Sequence, residues 1–226
     1  YAIAEEDKNV IFLTADMDAW SLIQFRTIMP DRFISVGIAE QNMISVASGL
    51  TFVGKKVFAY TITPFISQRC NEQVKLDLCS ARAPVVIIGS GPGLSYGADG
   101  PSHHSIDDIA SLKAFPNISI YNICDQVQAR NIANIVYDDS SGPSYVRLEK
   151  GCIDAIYEDS DDYNIGMKLF DNNGEILIIS SGIMVHNSLK AINLLEKNKI
   201  KVSLLDLFRV KPLNVKRIVE ILKSFK

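Results

Sequence analysis

The sequence predicts an α/β fold in which a parallel sheet is covered by helices on both faces and is followed by a partial second α/β domain. Short apolar runs rich in Val and Ile alternate with segments of helical periodicity over most of the 226 residues. The apolar runs are continuous, which is typical of parallel strands buried on both faces. Strands and helices that alternate in this way form βα units, and such units assemble into parallel sheets.

Six apolar runs predict the strands of the first domain, and three segments with apolar residues every three or four positions predict its helices. The strands are expected at Val10–Thr14, Phe33–Val36, Val57–Ala59, Val85–Ile88, Ile118–Tyr121 and Ser144–Arg147. The helices are expected from near Glu40, over Ile66–Ala81 and over Gln126–Tyr137. In the first helix, Met43, Ala47 and Leu50 share one stripe, so we expect that stripe to be apolar and buried.

An acidic segment separates the first domain from a second series of strands and helices. Residues 157–173 carry five Asp or Glu residues and predict a linker, which gives domain limits of 1–156 and 174–226. Strands Ile176–Ile179 and Val202–Leu207 and helices Met184–Lys197 and Asn214–Phe225 follow. About 55 residues are few for an independent core, so this region is expected to be the first part of a larger domain.

Composition and charge exclude several classes of function. With 47% hydrophobic and 22% charged residues, the chain has the composition of a soluble protein with a substantial core. A net charge of −3 gives no electrostatic basis for binding nucleic acid or anionic membranes, and no apolar run approaches the ~20 residues of a membrane span. The four cysteines are scattered, and the three histidines lie away from them. We therefore expect a cytoplasmic protein with reduced thiols and no metal site of its own.

The first candidate for chemistry is Glu40, in the segment VGIAEQNM that overlaps the end of the predicted strand Phe33–Val36. Ligands of open α/β sheets bind beyond the carboxyl ends of the strands, where this carboxylate would lie at the start of a helix. A structural explanation stays open, because an acidic residue in the first helical turn is also favoured by the helix dipole.

The second candidate is the loop Gly89–His104, which follows the predicted strand Val85–Ile88. Its 16 residues include five glycines and two prolines, so a regular helix or strand is excluded. Loops of this length in compact domains are usually functional. The adjacent His103 and His104 supply imidazoles suited to proton transfer or anion contact near neutral pH. For a single loop histidine, solvent exposure or a structural hydrogen bond is an equally good explanation.

These segments together resemble the pyrimidine domain of the transketolase family. The motif VGIAEQNM is followed about sixty residues later by GADGPSHHSIDDIA, and then by FPNISIYNICD and GPSYVRLEKG. The resemblance extends from Val10 to Gly151, and residues 174–226 resemble the start of the C-terminal domain of that family. It implies a thiamine-diphosphate-dependent enzyme that transfers a two-carbon ketol unit between sugars.

The resemblance implies the positions that contact the cofactor. In this family a glutamate of the GIAEQ motif hydrogen-bonds a ring nitrogen of the aminopyrimidine, and Glu40 holds that position. An aromatic ring stacks on the aminopyrimidine, and the segment AYTITPFISQRCNEQ places Phe65 there. Ile62 stands where many relatives have another aromatic residue, which would change the apolar wall of the pocket.

The resemblance also implies the positions that contact the sugar. His103 matches the histidine of the family's DGPTH motif, and Asp99 matches its acidic residue. In transketolases these residues contact hydroxyl and carbonyl oxygens of the donor sugar. His103 is therefore expected to transfer a proton or orient the substrate, and Asp99 to contribute to specificity. His104 stands where transketolases commonly have Gln and is a further candidate for substrate contact.

Three positions depart from the contacts that hold the sugar phosphate in pentose-phosphate transketolases. Gly91-Pro92 replaces His or Arg, Trp20 replaces the serine that follows the first strand, and Lys150 replaces Arg near the end of the domain. Lys can bind phosphate as a point charge but lacks the bidentate fork of Arg. Arg147 is expected to be a structural neighbour on the strand. The departures predict a sugar or sugar conjugate other than the standard ketose phosphates.

The resemblance further implies a partner chain. Enzymes of this family bind diphosphate and magnesium with a domain that carries a GDG…N motif, and no such segment occurs in this sequence. An N-terminal diphosphate-binding subunit is therefore expected to bind the magnesium. The natural expectation is an α2β2 heterotetramer with active sites between unlike subunits.

Three alternatives remain open. The β subunit of a 2-oxo acid dehydrogenase shares the architecture, although GIAEQN and DGPSHH favour transketolase. Deoxyxylulose-phosphate synthase is a closer relative, but its chain usually includes the diphosphate domain. A regulatory or scaffolding relative without catalysis is disfavoured, because Glu40, Phe65, Asp99 and His103 are all present.

Overall fold

The apolar runs of the first part of the chain form parallel strands, as the sequence predicts. The computed structural model describes residues 1–17, 19–170 and 173–225. They divide into a unit of Tyr1–Ile120 and Asn134–Lys150 (unit 1) and a unit of Tyr121–Ala133 and Gly151–Lys226 (unit 2). The strands that lie wholly or partly in unit 1 are β1 Val10–Thr14, β2 Phe33–Ser35, β3 Lys56–Ile62, β4 Val85–Ser90, β5 Ser119–Asn122 and β6 Ser144–Leu148.

The sheet of unit 1 has the strand order β5-β6-β4-β3-β1-β2. The pairs β1–β2, β1–β3, β3–β4 and β4–β6 are parallel. Consecutive residues of a strand point to opposite faces of the sheet. In β4, Val85, Val86 and Ile87 are all buried, so both faces of the central strand are covered. This explains why its sequence is a continuous apolar run.

The first helix precedes β1, and the later helices of the first 150 residues lie in the connections between these strands. They are α1 Ala2–Glu6, α2 Ile23–Ile28, α3 Glu40–Phe52, α4 Thr63–Ser67, α5 Asn71–Gln73, α6 Asp108–Lys113 and α7 Gln126–Asp138. The prediction of a single helix over Ile66–Ala81 is wrong. The chain forms α4 and α5 here, and a π-helix follows over Val74–Ser80. The N–H groups of Gln68 and Arg69 both donate to the carbonyl of Pro64, at 3.0 and 3.1 Å, which interrupts the regular helical pattern.

The carboxyl ends of the parallel strands are level with one another. Thr14 at the end of β1 pairs with Ser35 at the end of β2, and Ser90 at the end of β4 pairs with both Ile62 and Leu148. Most of the predicted site residues lie in the segments that follow these ends, so the topology brings those segments to one edge of the sheet. This edge is where ligands of open α/β sheets bind.

Unit 2 has a three-stranded sheet of its own. Its strands β7 Lys168–Leu169, β8 Ile176–Ser180 and β9 Val202–Asp206 follow the order β7-β9-β8, with β8 parallel and β7 antiparallel to β9. The remaining elements are α8 Ile183–Lys197, β10 Arg209–Lys211 and α9 Val215–Leu222. Met167, Leu205 and Ile221 form a buried apolar cluster. Within the described residues of both units, no helix combines the length and the apolar character needed to cross a bilayer.

The segment expected to be a linker contributes to the core of unit 2. Tyr157 and Tyr163 are 4% and 5% exposed, and their ring centroids lie 6.0 and 6.3 Å from that of Phe208. Four acidic residues lie between these two buried tyrosines, so a count of charges alone predicts a more polar segment than the one that forms. Asp171 and Asn172 lie outside the described residues.

Candidate active site at the carboxyl edge of the sheet

Glu40 is buried at the start of α3. Its side chain is 3% exposed, and Gly37, with a φ of +72°, makes the turn between β2 and α3 that leads to it. The carboxylate accepts a charge-assisted hydrogen bond from Arg69, with 2.7 Å between Nη1 and Oε2. Burial and this ion pair hold the carboxyl group in a defined place at the sheet edge.

Phe65 lies beside the Glu40–Arg69 pair. It belongs to α4, which begins with Thr63 and Pro64 directly after β3; proline is favoured in the first helical turn, where its missing N–H leaves no bond unmade. The guanidinium carbon of Arg69 lies 3.9 Å from the centroid of the Phe65 ring, which is a cation–π contact. Arg69 therefore joins the buried acid to the aromatic ring.

The loop after β4 is closed at its base and brings His103 to Phe65. Gly93 and Ser105 exchange two backbone hydrogen bonds of 2.8 and 2.9 Å. The His103 ring meets the Phe65 ring edge-on, with 5.0 Å between centroids and 68° between planes. The hydroxyl of Ser102 lies 3.0 Å from Nδ1 of His103, so one ring nitrogen has a partner within the loop.

Tyr96 and Lys150 extend this group of side chains. The Tyr96 and His103 ring centroids are 5.8 Å apart, and Nζ of Lys150 lies 4.2 Å from the Tyr96 centroid. Burial raises the pKa of Tyr96 above its ordinary value, so its hydroxyl stays protonated at neutral pH. The contacts join six side chains in series: Glu40, Arg69, Phe65, His103, Tyr96 and Lys150.

A cavity of about 570 Å³ opens beside this series. Phe65, Arg69 and His104 contribute to its wall, together with Gln68 and Asp107, which are hydrogen-bonded to each other. Nε2 of His104 is buried and has no hydrogen-bond partner among the described residues. The cavity wall therefore carries a cation, an aromatic ring and an imidazole.

Of the predicted site residues, Phe65 and His104 line this cavity. Glu40, His103 and Lys150 belong to the series of contacts beside it, and three others lie elsewhere. Ile62 ends β3 and is partly buried, and Asp99 ends an exposed turn within the loop. Trp20 lies in a 3₁₀ turn after β1 with 91% of its surface exposed. Their contacts with cofactor or substrate stay predictions.

A buried ion pair lies behind the loop. Asp108 is the first residue of α6, is 1% exposed, and accepts hydrogen bonds from Nε of Arg147 at 2.8 Å and from the hydroxyl of Tyr145 at 2.7 Å. Gly89 of β4 leaves room for this group, since a Cβ there would lie 2.9 Å from the Tyr145 hydroxyl. Asp108 thus links the end of the loop to β6, and Arg147 has a structural role.

Comparison with known proteins identifies the family. Residues 1–154 match the family model of the transketolase pyrimidine binding domain, and residues 168–226 match that of the transketolase C-terminal domain. The chain belongs to the transketolase family. The resemblance seen in the motifs is confirmed.

Transketolases made of separate subunits are among the relatives. An apulose-4-phosphate transketolase subunit of Phocaeicola vulgatus is 34% identical over 96% of this chain and 70% of its own length. The 6-deoxy-6-sulfo-D-fructose transketolase subunit SqwH of Clostridium sp. strain MSTE9 is 35% identical over 92% of this chain and 65% of its own length. The chain thus spans about two thirds of the length of these relatives.

A solved structure confirms the predicted fold class. It is described as a split gene transketolase, inactive beta4 tetramer, and it superposes with a TM-score of 0.88 at 28% identity. The match covers 99% of this chain and 73% of that one. The α/β fold with a mostly parallel sheet is therefore common to both proteins.

The site of this transketolase-family chain fits the aminopyrimidine end of thiamine diphosphate. A buried carboxyl group and an aromatic ring are groups that bind a flat, polar heterocycle, and Arg69 contacts both Glu40 and Phe65. Within the part of the chain that the structure describes, no cluster of three or more His, Cys, Asp or Glu side chains is arranged to hold a metal ion.

The sequence analysis missed Arg69 and Tyr96. Arg69 follows Phe65 by four positions, a spacing that brings side chains together on a helix, so the sequence held a signal for their contact. The contact between Tyr96 and His103 depends on the path of an irregular loop, and no spacing rule predicts it.

Proposed function

We propose that this chain is the pyrimidine-binding subunit of a thiamine-diphosphate-dependent transketolase that transfers a two-carbon ketol unit between sugars. One observation carries the proposal: the buried carboxyl group of Glu40 is joined through Arg69 to Phe65, and Phe65 contacts His103 at the mouth of the loop. Family membership supplies the reaction class, and this cluster supplies the groups that the reaction requires at the pyrimidine end of the cofactor.

Each residue has a distinct role in the proposed reaction. When bound, thiamine diphosphate supplies the carbon nucleophile that accepts the two-carbon unit. Glu40 holds a proton at a ring nitrogen of the aminopyrimidine, in a place from which water is excluded. Phe65 covers a face of that ring. The imidazole of His103 donates or accepts a proton at an oxygen of the donor sugar, as a histidine can near neutral pH.

A second polypeptide completes the proposed enzyme. We assign the diphosphate and magnesium to an N-terminal subunit, in an α2β2 heterotetramer in the cytoplasm. Two of the relatives are themselves named as subunits of transketolases, which supports a split enzyme. In this arrangement residues 1–156 are the pyrimidine-binding domain, 157–173 connect it to the next domain, and 174–226 form part of a C-terminal domain.

The proposed substrate is a ketose other than the standard pentose phosphates. The same two relatives are named for apulose 4-phosphate and 6-deoxy-6-sulfo-D-fructose, which both carry an anionic group on an uncommon sugar. Lys150, whose ammonium group lies over the Tyr96 ring, is placed to meet such a group as a point charge. Asp99 and His104 are proposed to contact sugar hydroxyls, and Trp20 to border the acceptor.

The test is a Glu40→Gln variant of the complex formed with a co-expressed diphosphate-binding subunit. Native mass spectrometry with thiamine diphosphate and magnesium in the buffer should show both chains and retained cofactor. The variant should keep that assembly, while kcat for ketol transfer falls by about 10²–10⁴-fold because the proton at the ring nitrogen is lost. Exchange of the thiazolium C2 proton for deuterium, followed by NMR, should slow in parallel.

Glu72→Gln is the matched control, because Glu72 is an exposed acid of the neighbouring helix α5. It should keep turnover within about twofold of the wild type, as surface substitutions usually do. Near-normal turnover of Glu40→Gln would overturn the proposed role. Cofactor binding by the wild-type complex without proton exchange would indicate a non-catalytic relative, and equal turnover of xylulose 5-phosphate with ribose 5-phosphate at ordinary transketolase rates would refute the unusual sugar.

A further inference from the structure

The ring of Tyr96 occupies the interior of the loop between β4 and α6. It touches groups on three sides: the backbone of Gly91, the imidazole of His103 and the ammonium group of Lys150. The Tyr96 ring is therefore enclosed by residues of the loop and by Lys150.

Gly91 is the residue that admits this ring. A Cβ atom at position 91 would lie 2.1 Å from Cε2 and 2.8 Å from Cδ2 of Tyr96, distances at which one group must move. The φ of Gly91 is +68°, in the left-handed region that residues with a side chain rarely adopt. Two independent constraints thus require glycine at position 91 as long as the Tyr96 ring stays where it is.

Contacts within the loop restrict where the Tyr96 ring can lie. The hydrogen-bonded pair Gly93 and Ser105 closes its base, and the N–H of Asp99 donates to the carbonyl of Tyr96 at 3.0 Å. His103 and Lys150 lie 47 positions apart in the sequence, and Tyr96 contacts both of them. Lys150 itself is exposed, and its ammonium group makes a cation–π contact with the Tyr96 ring.

We propose that Tyr96 is a positioning residue of the substrate site, which sets the imidazole of His103 and the ammonium group of Lys150 relative to each other, and that Gly91 and Tyr96 act as one unit. A single ring then fixes the distance between the group that acts on the sugar oxygens and the cation that receives an anionic substituent. His103 and Lys150 would therefore select ketoses by the distance between the reacting sugar oxygens and the anionic substituent. This inference rests on the proposed function for its substrate, but the arrangement of the side chains can be tested without it.

The first experiment follows the histidine signals of the full chain by ¹H–¹³C NMR, without cofactor or partner. His103 is assigned with a His103→Asn variant, and His186 of α8 serves as an internal reference. Tyr96→Leu should shift the ring signals of His103, because an aromatic neighbour is lost, and leave those of His186 in place. Tyr96→Phe keeps the ring and should keep the His103 signals. A His103 signal that is the same in Tyr96→Leu and in wild type would overturn the proposal.

The second experiment is a double-mutant cycle in the assembled enzyme with a phosphorylated ketose. Tyr96→Ala should lower kcat/KM on the order of 10- to 100-fold through misplacement of both groups, with KM rising more for the phosphorylated ketose than for its neutral analogue. Tyr96→Phe should stay within about threefold of wild type, because the ring and its cation–π contact remain. Gly91→Ala should resemble Tyr96→Ala, since its methyl group displaces the ring.

The combined Gly91→Ala and Tyr96→Ala variant tests whether the two residues act together or independently. If the residues act as a unit, the second substitution adds little to the first, and the losses in kcat/KM do not multiply. Losses that multiply would show that the residues act independently, which would overturn the proposal. Absence of any turnover in the wild-type complex would instead refute the proposed function, and the NMR result would still decide the role of Tyr96.

Discussion

Asp206 is a buried carboxyl group whose ionisation we expect to govern the stability of unit 2. It ends β9 with no exposed surface, and its Oδ2 accepts hydrogen bonds from the Tyr157 hydroxyl at 2.7 Å and from Nε2 of Gln128 at 3.1 Å. Burial raises the pKa of Asp206 from 3.8 to about 7, and nearby Asp125 acts in the same direction. The hydrogen bonds from Tyr157 and Gln128 oppose this rise without cancelling it.

The sign of the effect follows from the direction of this pKa change. The unfolded chain releases the Asp206 proton near pH 4, whereas the folded chain keeps it until about pH 7. Stability is therefore fully present below the unfolded pKa and is lost as the pH rises through the folded pKa. A pKa difference of about 3 corresponds to about 4 kcal/mol, of which about 3 kcal/mol is lost between pH 5 and pH 8.

Asp206→Asn removes the titration and keeps an oxygen to accept the hydrogen bond from Tyr157. The free energy of unfolding is measured by urea titration at pH 5 and pH 8, followed by circular dichroism. Relative to wild type, the variant should gain about 3 kcal/mol on going from pH 5 to pH 8. Asp154→Asn, at an exposed position, is the control and should show no such gain. A difference between Asp206→Asn and wild type that is equal at both pH values would refute the reasoning.

Two further predictions concern unit 1 and the thiols. Arg147→Leu leaves the buried carboxylate of Asp108 without its ion-pair partner and should lower the free energy of unfolding by about 3–5 kcal/mol; Tyr145→Phe removes one hydrogen bond and should cost about 1 kcal/mol. Urea titration of both variants checks this order, and equal losses would contradict it. A thiol reagent at pH 8 should modify exposed Cys152 well before Cys70, because burial raises the pKa of the Cys70 thiol to about 12. Mass mapping of the labelled chain gives the order, and equal labelling rates would contradict the prediction.

Much of the sheet follows from local sequence. The run Val10–Thr14 forms β1 with the predicted limits. Side chains on both faces of such a strand are buried, so the strand appears in the sequence as a continuous apolar run. The helix predicted over Ile66–Ala81 fails in its backbone hydrogen bonds, because two N–H groups share the Pro64 carbonyl and Val74–Ser80 forms a π-helix. Apolar periodicity reports which side chains are buried and not how the backbone bonds, so it does not predict that interruption.

The residues of the candidate site that stand in sequence motifs were predictable. Glu40 and His103 stand in motifs, and their positions after strand ends place them at the sheet edge. Arg69 contacts Glu40, which lies 29 positions earlier in the sequence. No helical or strand periodicity relates two residues that far apart, so the sequence did not predict this contact. A position in the sequence can also suggest a contact that this chain alone does not show. Trp20 stands where a substrate contact is expected, yet 91% of its surface is exposed.

The departure at Gly91-Pro92 and the ring of Tyr96 are one feature of the molecule. A basic side chain at position 91 would need the space that the Tyr96 ring fills, since even a Cβ there would lie 2.1 Å from the ring. Loss of the cation expected from the family resemblance and gain of the ring are therefore coupled by sterics. The ring in turn holds the ammonium group of Lys150 at 4.2 Å, so the positive charge is supplied from the end of β6 instead of from the loop. In the proposed function, an anionic substituent of the sugar meets the point charge of Lys150 and not a cation of the loop, which is a physical reason for a change of sugar.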